Sequence, residues 1–144
     1  MAKPKKHSQG RFVGLPFNVL NSEMGRTITA IEMRLLVHLG LQYNGNNNGM
    51  LSPTFALMKE YGWSSTGTLY KARQGLEHKG FIVTTKIGKK IKGDCTLVAI
   101  TWNGIDASDK WPYRDGVKAS PVPLNYFQKP KSEWKIQPAV AQPK

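Results

Sequence analysis

The 144-residue chain predicts an α+β domain of three helices and a small antiparallel sheet, on three observations. Apolar residues recur at helical spacing in three segments before residue 80. Two short runs rich in Ile, Val and Thr follow, and a lysine-rich loop separates those two runs. The length has room for one domain of about 90 to 100 residues plus tails. A 40% hydrophobic content with four Trp is enough for one core.

Residues 1–11, MAKPKKHSQGR, carry Lys3, Lys5, Lys6 and Arg11 with no acid, and read as a disordered basic arm. No signal-type apolar core follows it, which argues against secretion. FVGLPFNVL (12–20) is apolar and interrupted by Pro16, so a packed extended lead-in is expected. In TAIEMRLLVHLGLQY (29–43), Ile31, Leu35, Leu36, Leu39 and Tyr43 fall on one helical stripe, with Thr27 or Thr29 as N-cap. NGNNNG (44–49) stops that helix; without carboxylates it is no calcium loop.

MLS (50–52) reads as one brief strand. Ser52 then caps, and Pro53 opens, a helix to Tyr61 that buries Phe55, Leu57 or Met58, and Tyr61; Gly62 ends it. Ser64 or Ser65 starts the next helix, which runs to about Lys79 and stops at Gly80. FIVTTKI (81–87) and CTLVAITW (95–102) are strands around the basic loop IGKKIKGD (87–94). Residues 105–144 hold six of the nine prolines with little periodicity, and predict an irregular Pro/aromatic arm separable from a domain at 12–104.

Helix, short strand, helix, tight turn, helix, strand, basic loop, strand is the element order of a winged helix-turn-helix. On the last helix Leu69, Ala72 and Leu76 form the core stripe. Opposite lie Ser64, Gly67, Lys71, Gln74 and His78, flanked by Ser65, Thr66, Thr68 and Tyr70, with no acid and nothing large and apolar. Lys and Gln bond to base edges or phosphates, and Gly67 and Gly75 thin the helix for close backbone approach. Arg73 stands about 40° off the core stripe, positioned either to snorkel to a phosphate or to cap packing.

Charge weighs against a merely solvated face. The formal net charge is +12, with a pI near 10, which points to a polyanionic partner. Residues 64–93 hold seven cations (Lys71, Arg73, Lys79, Lys86, Lys89, Lys90, Lys92) against Glu77 alone, a net +6 in thirty residues. Lys89, Lys90 and Lys92 are then a wing tip on a phosphate backbone, and Ser64 to His78 the helix that reads the groove.

The stretches LPFNVL, AIEMRLLVHLGLQYNGNNNGMLS, ALMKEYGWSSTGTLYKARQGLEHKGFIV and LVAITW resemble small winged-helix proteins encoded by bacterial prophages and other mobile elements. The resemblance spans roughly residues 12–104. It implies double-stranded DNA binding, in transcription regulation or as a replication accessory.

Other chemistry finds little support. His7, His38 and His78 are scattered without Cys or carboxylate partners at ligand spacing, so no metal is expected. No nucleophile–base pattern or phosphate-binding glycine motif suggests an enzyme or a cofactor. Glu60 and Glu77 read as surface charges. Cys95, the single cysteine, reads as a small core residue and fits a reducing cytoplasm. No apolar run reaches the roughly 18 residues of a membrane span. The competing function is a winged-helix scaffold that binds protein, such as an inhibitor of a host defence system. Its aromatic surface would come from the arm's Trp111, Tyr113, Tyr126, Phe127 and Trp134.

Overall fold

A computed structural model describes residues 10–89 and 94–143. It is α+β: helices α1 (Phe17–Leu20), α2 (Ala30–Gln42), α3 (Phe55–Met58) and α4 (Thr66–Lys79), then an antiparallel pair β1 (Ile82–Lys86) and β2 (Leu97–Ile100). The lead-in expected to be extended closes one helical turn at α1, because Pro16 stands at its N-cap and Val19 is pulled into the core. Phe12 and Phe17 of this lead-in are each 79% exposed.

Thr29 is the N-cap of α2, in a capping box with Glu32: the Thr29 hydroxyl accepts from Glu32 N, and the Glu32 carboxylate accepts from Thr29 N. Leu35, Leu36 and Leu39 are buried, but Ile31 of the expected stripe is exposed. The next helix is shorter than Pro53 suggested. Thr54 is its N-cap, and after Met58 it tightens into a 3-10 turn at Lys59–Tyr61. Gly62 leaves that turn at φ 95°, a conformation open to glycine. Ser65 caps α4 by accepting from Thr68 N, and Gly80 ends it at φ 88°.

The strands pair Ile82 with Ile100, Val83 with Ala99 and Thr84 with Val98, before a bulge at Thr84/Lys86. Leu51 makes a bridge to the free edge of β2 at Val98, so the brief strand expected at MLS is one residue of pairing. Asn48, in the loop read only as a helix stop, is fully buried. Its amide nitrogen donates to the carbonyls of Ile100, Asn103 and Gly104 while its oxygen accepts from Ile100 N, stapling the loop to the end of β2.

The sheet is covered on both faces. Ile82, Val98 and Ile100 join Leu35, Leu36, Leu39, Leu69 and Leu76 under the helices. Val83 and Ala99 face the other way, into a second cluster with Ile105, Val117, Tyr126, Trp134 and Ile136. The C-terminal arm supplies that second layer, and this corrects the expectation of a separable tail. It is irregular, with 3-10 turns at Tyr126–Gln128 and Lys131–Glu133, but its apolar residues are core. Phe127 stacks on Phe81 at 5.3 Å, and Trp134 stacks on Tyr126 at 5.1 Å while its Nε1 donates to the carbonyls of Tyr126 and Lys129.

Candidate nucleic-acid interface

The exposed side of α4 divides at Lys71. Ser64, Ser65, Thr66, Gly67, Thr68, Tyr70 and Lys71 are all exposed, and only Leu69 among residues 64–71 turns inward. This half begins at the capped N-terminus, where backbone N–H groups point outward and the helix dipole favours an anion.

The second half is engaged by the protein itself. Gln74 Nε2 donates to the Ala141 carbonyl at 3.2 Å. The Lys131 ammonium donates to His78 Nδ1 at 2.7 Å, which leaves His78 Nε2 to carry the proton and donate to the Val140 carbonyl at 2.9 Å. Gln74 and His78, predicted to face a groove, instead hold the end of the arm.

Arg73 resolves toward packing. Its side chain is mostly buried, Nη2 donates to Thr84 Oγ1 at 3.2 Å, and Nε lies 4.0 Å from Glu77 Oε1 without a hydrogen-bond partner among the described residues. Burial works against the Arg73 charge, and Glu77 works for it. Glu77 itself, read as a surface charge, is 1% exposed; its carboxylate accepts from Thr84 Oγ1 at 2.9 Å and from Ala139 N at 2.7 Å. The one acid of the basic region is thus turned inward, which the helical wheel could not show, because Glu77 lies beside the core stripe and its partners come from β1 and the arm.

Gly75 answers to packing too. A Cβ there would stand 1.8 Å from Glu32 Oε2, whose carboxylate also pairs with Lys79 Nζ at 2.6 Å. At Gly67 the nearest atom outside the helix backbone is Ser65 Oγ at 3.8 Å, so that surface is open.

The hairpin's base is tied across by Lys86 and Asp94, an ion pair, and by Gly88 N donating to Thr96 Oγ1 at 2.9 Å. Lys89 is exposed, and its backbone N–H donates to Asp94 Oδ2 at 2.9 Å. The Lys86 ammonium and the Lys89 N–H hold the Asp94 carboxyl below its ordinary value. Lys90 and Lys92 lie outside the described residues. Trp111 lies under the ammonium groups of Lys86 at 4.8 Å and Lys110 at 5.0 Å, so the arm also braces the hairpin.

The turn before α4 is fixed through Trp63, which is buried. Its Nε1 donates to His38 Nδ1 at 2.7 Å, Arg34 lies over its ring at 4.8 Å, and Arg34 Nη2 donates to the Tyr61 carbonyl at 3.2 Å. Burial, and then Arg34, hold the His38 pKa below its ordinary value. Sequence reasoning missed this set; the i, i+4 spacing of Arg34 and His38, with the aromatics of YGW, is the signal it left. Cys95 is half-buried, at the hairpin base. Comparison with protein-family models, with curated proteins and with solved structures returns no match for this chain.

Proposed function

We propose that the protein is a winged helix-turn-helix that binds double-stranded DNA, with the first half of α4 in the major groove and the lysine hairpin on phosphates. One observation carries the reading: residues 64–71 present hydroxyls, a phenol and a lysine to solvent, while Glu77, the one acid of the region, is buried. A surface of that kind, at a helix N-terminus beside a basic loop, attracts a polyanion and offers donors to base edges. The scaffold alternative loses most of its surface, because Tyr126, Phe127 and Trp134 are buried. A regulatory or replication role on a mobile element is the process the sequence resemblance suggests.

Salt dependence tests the binding. Each phosphate contact contributes roughly 0.9 to the log–log slope of affinity against salt. Changing Lys89, Lys90 and Lys92 together to Ala should flatten the slope by about two to three units with the fold intact. An unchanged slope would remove the hairpin from the interface, and no duplex binding at low salt would sink the reading.

A further inference from the structure

The end of the arm lies on the half of α4 that a groove-binding helix would also use. Three successive residues are held by α4 side chains: Ala139 N by Glu77, the Val140 carbonyl by His78 and the Ala141 carbonyl by Gln74. Lys131 ties the end down from the arm's own side, donating to Gln142 Oε1 at 3.2 Å. Val140 is the one buried side chain of residues 138–143, and Ala139, Ala141, Gln142 and Pro143 are exposed. Lys71, Gln74, Ala141, Gln142 and Pro143 line an open cleft of about 430 Å³, so the segment does not pack flat against the helix.

The residues just upstream are anchored differently. Trp134 and Ile136 belong to the core cluster under the sheet, and the Gln137 carbonyl accepts from Arg114 Nη2 at 2.6 Å. Residues 138–143 can therefore leave α4 without opening the core, since among the described residues one small apolar side chain, three hydrogen bonds to partly exposed groups and one to the buried Glu77 carboxylate are what hold them. Pro138 and Pro143 each fix φ and so reduce the conformations the segment gains on release.

Resting on the DNA-binding reading, we infer that residues 138–143 are a displaceable strap that competes with duplex DNA for the second half of the outward face of α4. Closed, the strap consumes the amide of Gln74 and the imidazole of His78. Lifted, it frees both, with Lys131, on the face that already carries Lys71. Loss of the Ala139 N–H at the Glu77 carboxylate opposes lifting, because one buried oxygen must then find water. A strap closed in about nine of ten molecules lowers apparent affinity about tenfold.

Two full-length substitutions loosen the strap without changing charge. Val140→Ser removes its apolar anchor, and Ala139→Pro removes the N–H that Glu77 accepts. Each is measured by fluorescence anisotropy against a labelled duplex of mixed sequence at low salt, with the thermal transition as a check on the fold. Tighter binding by both folded variants, up to about tenfold, supports the strap. Wild-type binding with equal or weaker binding by the variants overturns it and leaves the DNA-binding reading standing. No binding by any of the three proteins overturns both. Should Ala139→Pro fail to fold, Val140→Ser decides alone.

Discussion

Trp63 donates its indole N–H to Nδ1 of His38 at 2.7 Å, so the turn that positions α4 is fixed from α2 by a group that can accept only while unprotonated. His38 also stacks on Tyr61 at 4.8 Å, which places the imidazole between the two residues that bracket Gly62. The orientation of the helix proposed to read DNA thus depends on one neutral histidine.

This predicts an acid limb in stability. The His38 pKa is lowered in the folded protein, so the unfolded chain binds the proton more readily. The contribution is therefore complete above the ordinary value of about 6.5 and is lost as pH falls below it. Thermal melting should drop as pH falls below about 6.5, and His38→Asn, which keeps an acceptor near Nδ1 and does not titrate, should remove that part of the drop. Trp63→Phe keeps most of the buried ring and loses the N–H, at a cost of about 0.5–1.5 kcal/mol. A wild-type melting curve that is flat across this range would mean that the bond is not linked to folding.

The two glycines of α4 should respond in opposite directions. Glycine inside a helix costs about 1 kcal/mol relative to alanine, so Gly67→Ala, in open space in the first turn, should stabilise by a part of that amount. Gly75→Ala places a methyl against the Glu32 carboxylate, which is held by both its capping box and Lys79. That overpacking should outweigh the helix gain and destabilise by about 1–3 kcal/mol. Denaturant midpoints decide, and stabilisation by both changes would show that Glu32 can move aside. Gly67→Ala is also a probe of the interface: weaker DNA binding by this more stable variant would mark a close backbone approach.

Deleting residues 113–144 should abolish the cooperative transition. The deletion removes Phe127 from the main core and strips Val117, Tyr126, Trp134 and Ile136 from the second face of the sheet. Each large apolar side chain taken from the core contributes about 1.5–3 kcal/mol, and the losses together are comparable to the whole stability of a small domain. Circular dichroism and melting of the truncated chain check this, and a sharp transition would return the arm to the status of a tail.

Much of the helical half was legible in local chemistry. Thr29, Gly62, Ser65 and Gly80 are punctuation marks whose effect depends only on near neighbours, and the stripes of α2 and α4 follow from spacing. The arm was not legible that way, because its buried residues follow no period and its turns are set by proline and by contacts far off in sequence. The strands carried a clue. FIVTT and TLVAI lack the apolar–polar alternation of a sheet with one wet face, and such runs are buried on both sides. Three helices cover one face, so something beyond residue 104 had to cover the other. The inward turn of Arg73 and Glu77, and the engagement of Gln74 and His78, follow from the same covering layer and were hidden with it.

The remaining prediction separates reading a sequence from gripping a backbone. Lys71 and Lys89 are both exposed and carry the same charge, so replacing either by Ala removes the same long-range attraction. They differ in place. Lys71 stands on the outward face of α4, nearly two turns beyond the capped end, where its ammonium can reach guanine O6 and N7. Lys89 stands on the hairpin, where phosphates are the available partners. Lys71→Ala should cost about 1–3 kcal/mol on the preferred site and relax preference at one base position, whereas Lys89→Ala should weaken all sequences alike and reduce the salt slope by about one. Selection from a random duplex library with wild type and each variant, followed by salt titration on the selected site, makes the comparison. A wild type that enriches no motif at physiological salt would reduce α4 to a phosphate contact, and identical behaviour of the two variants would place Lys71 on the backbone with Lys89.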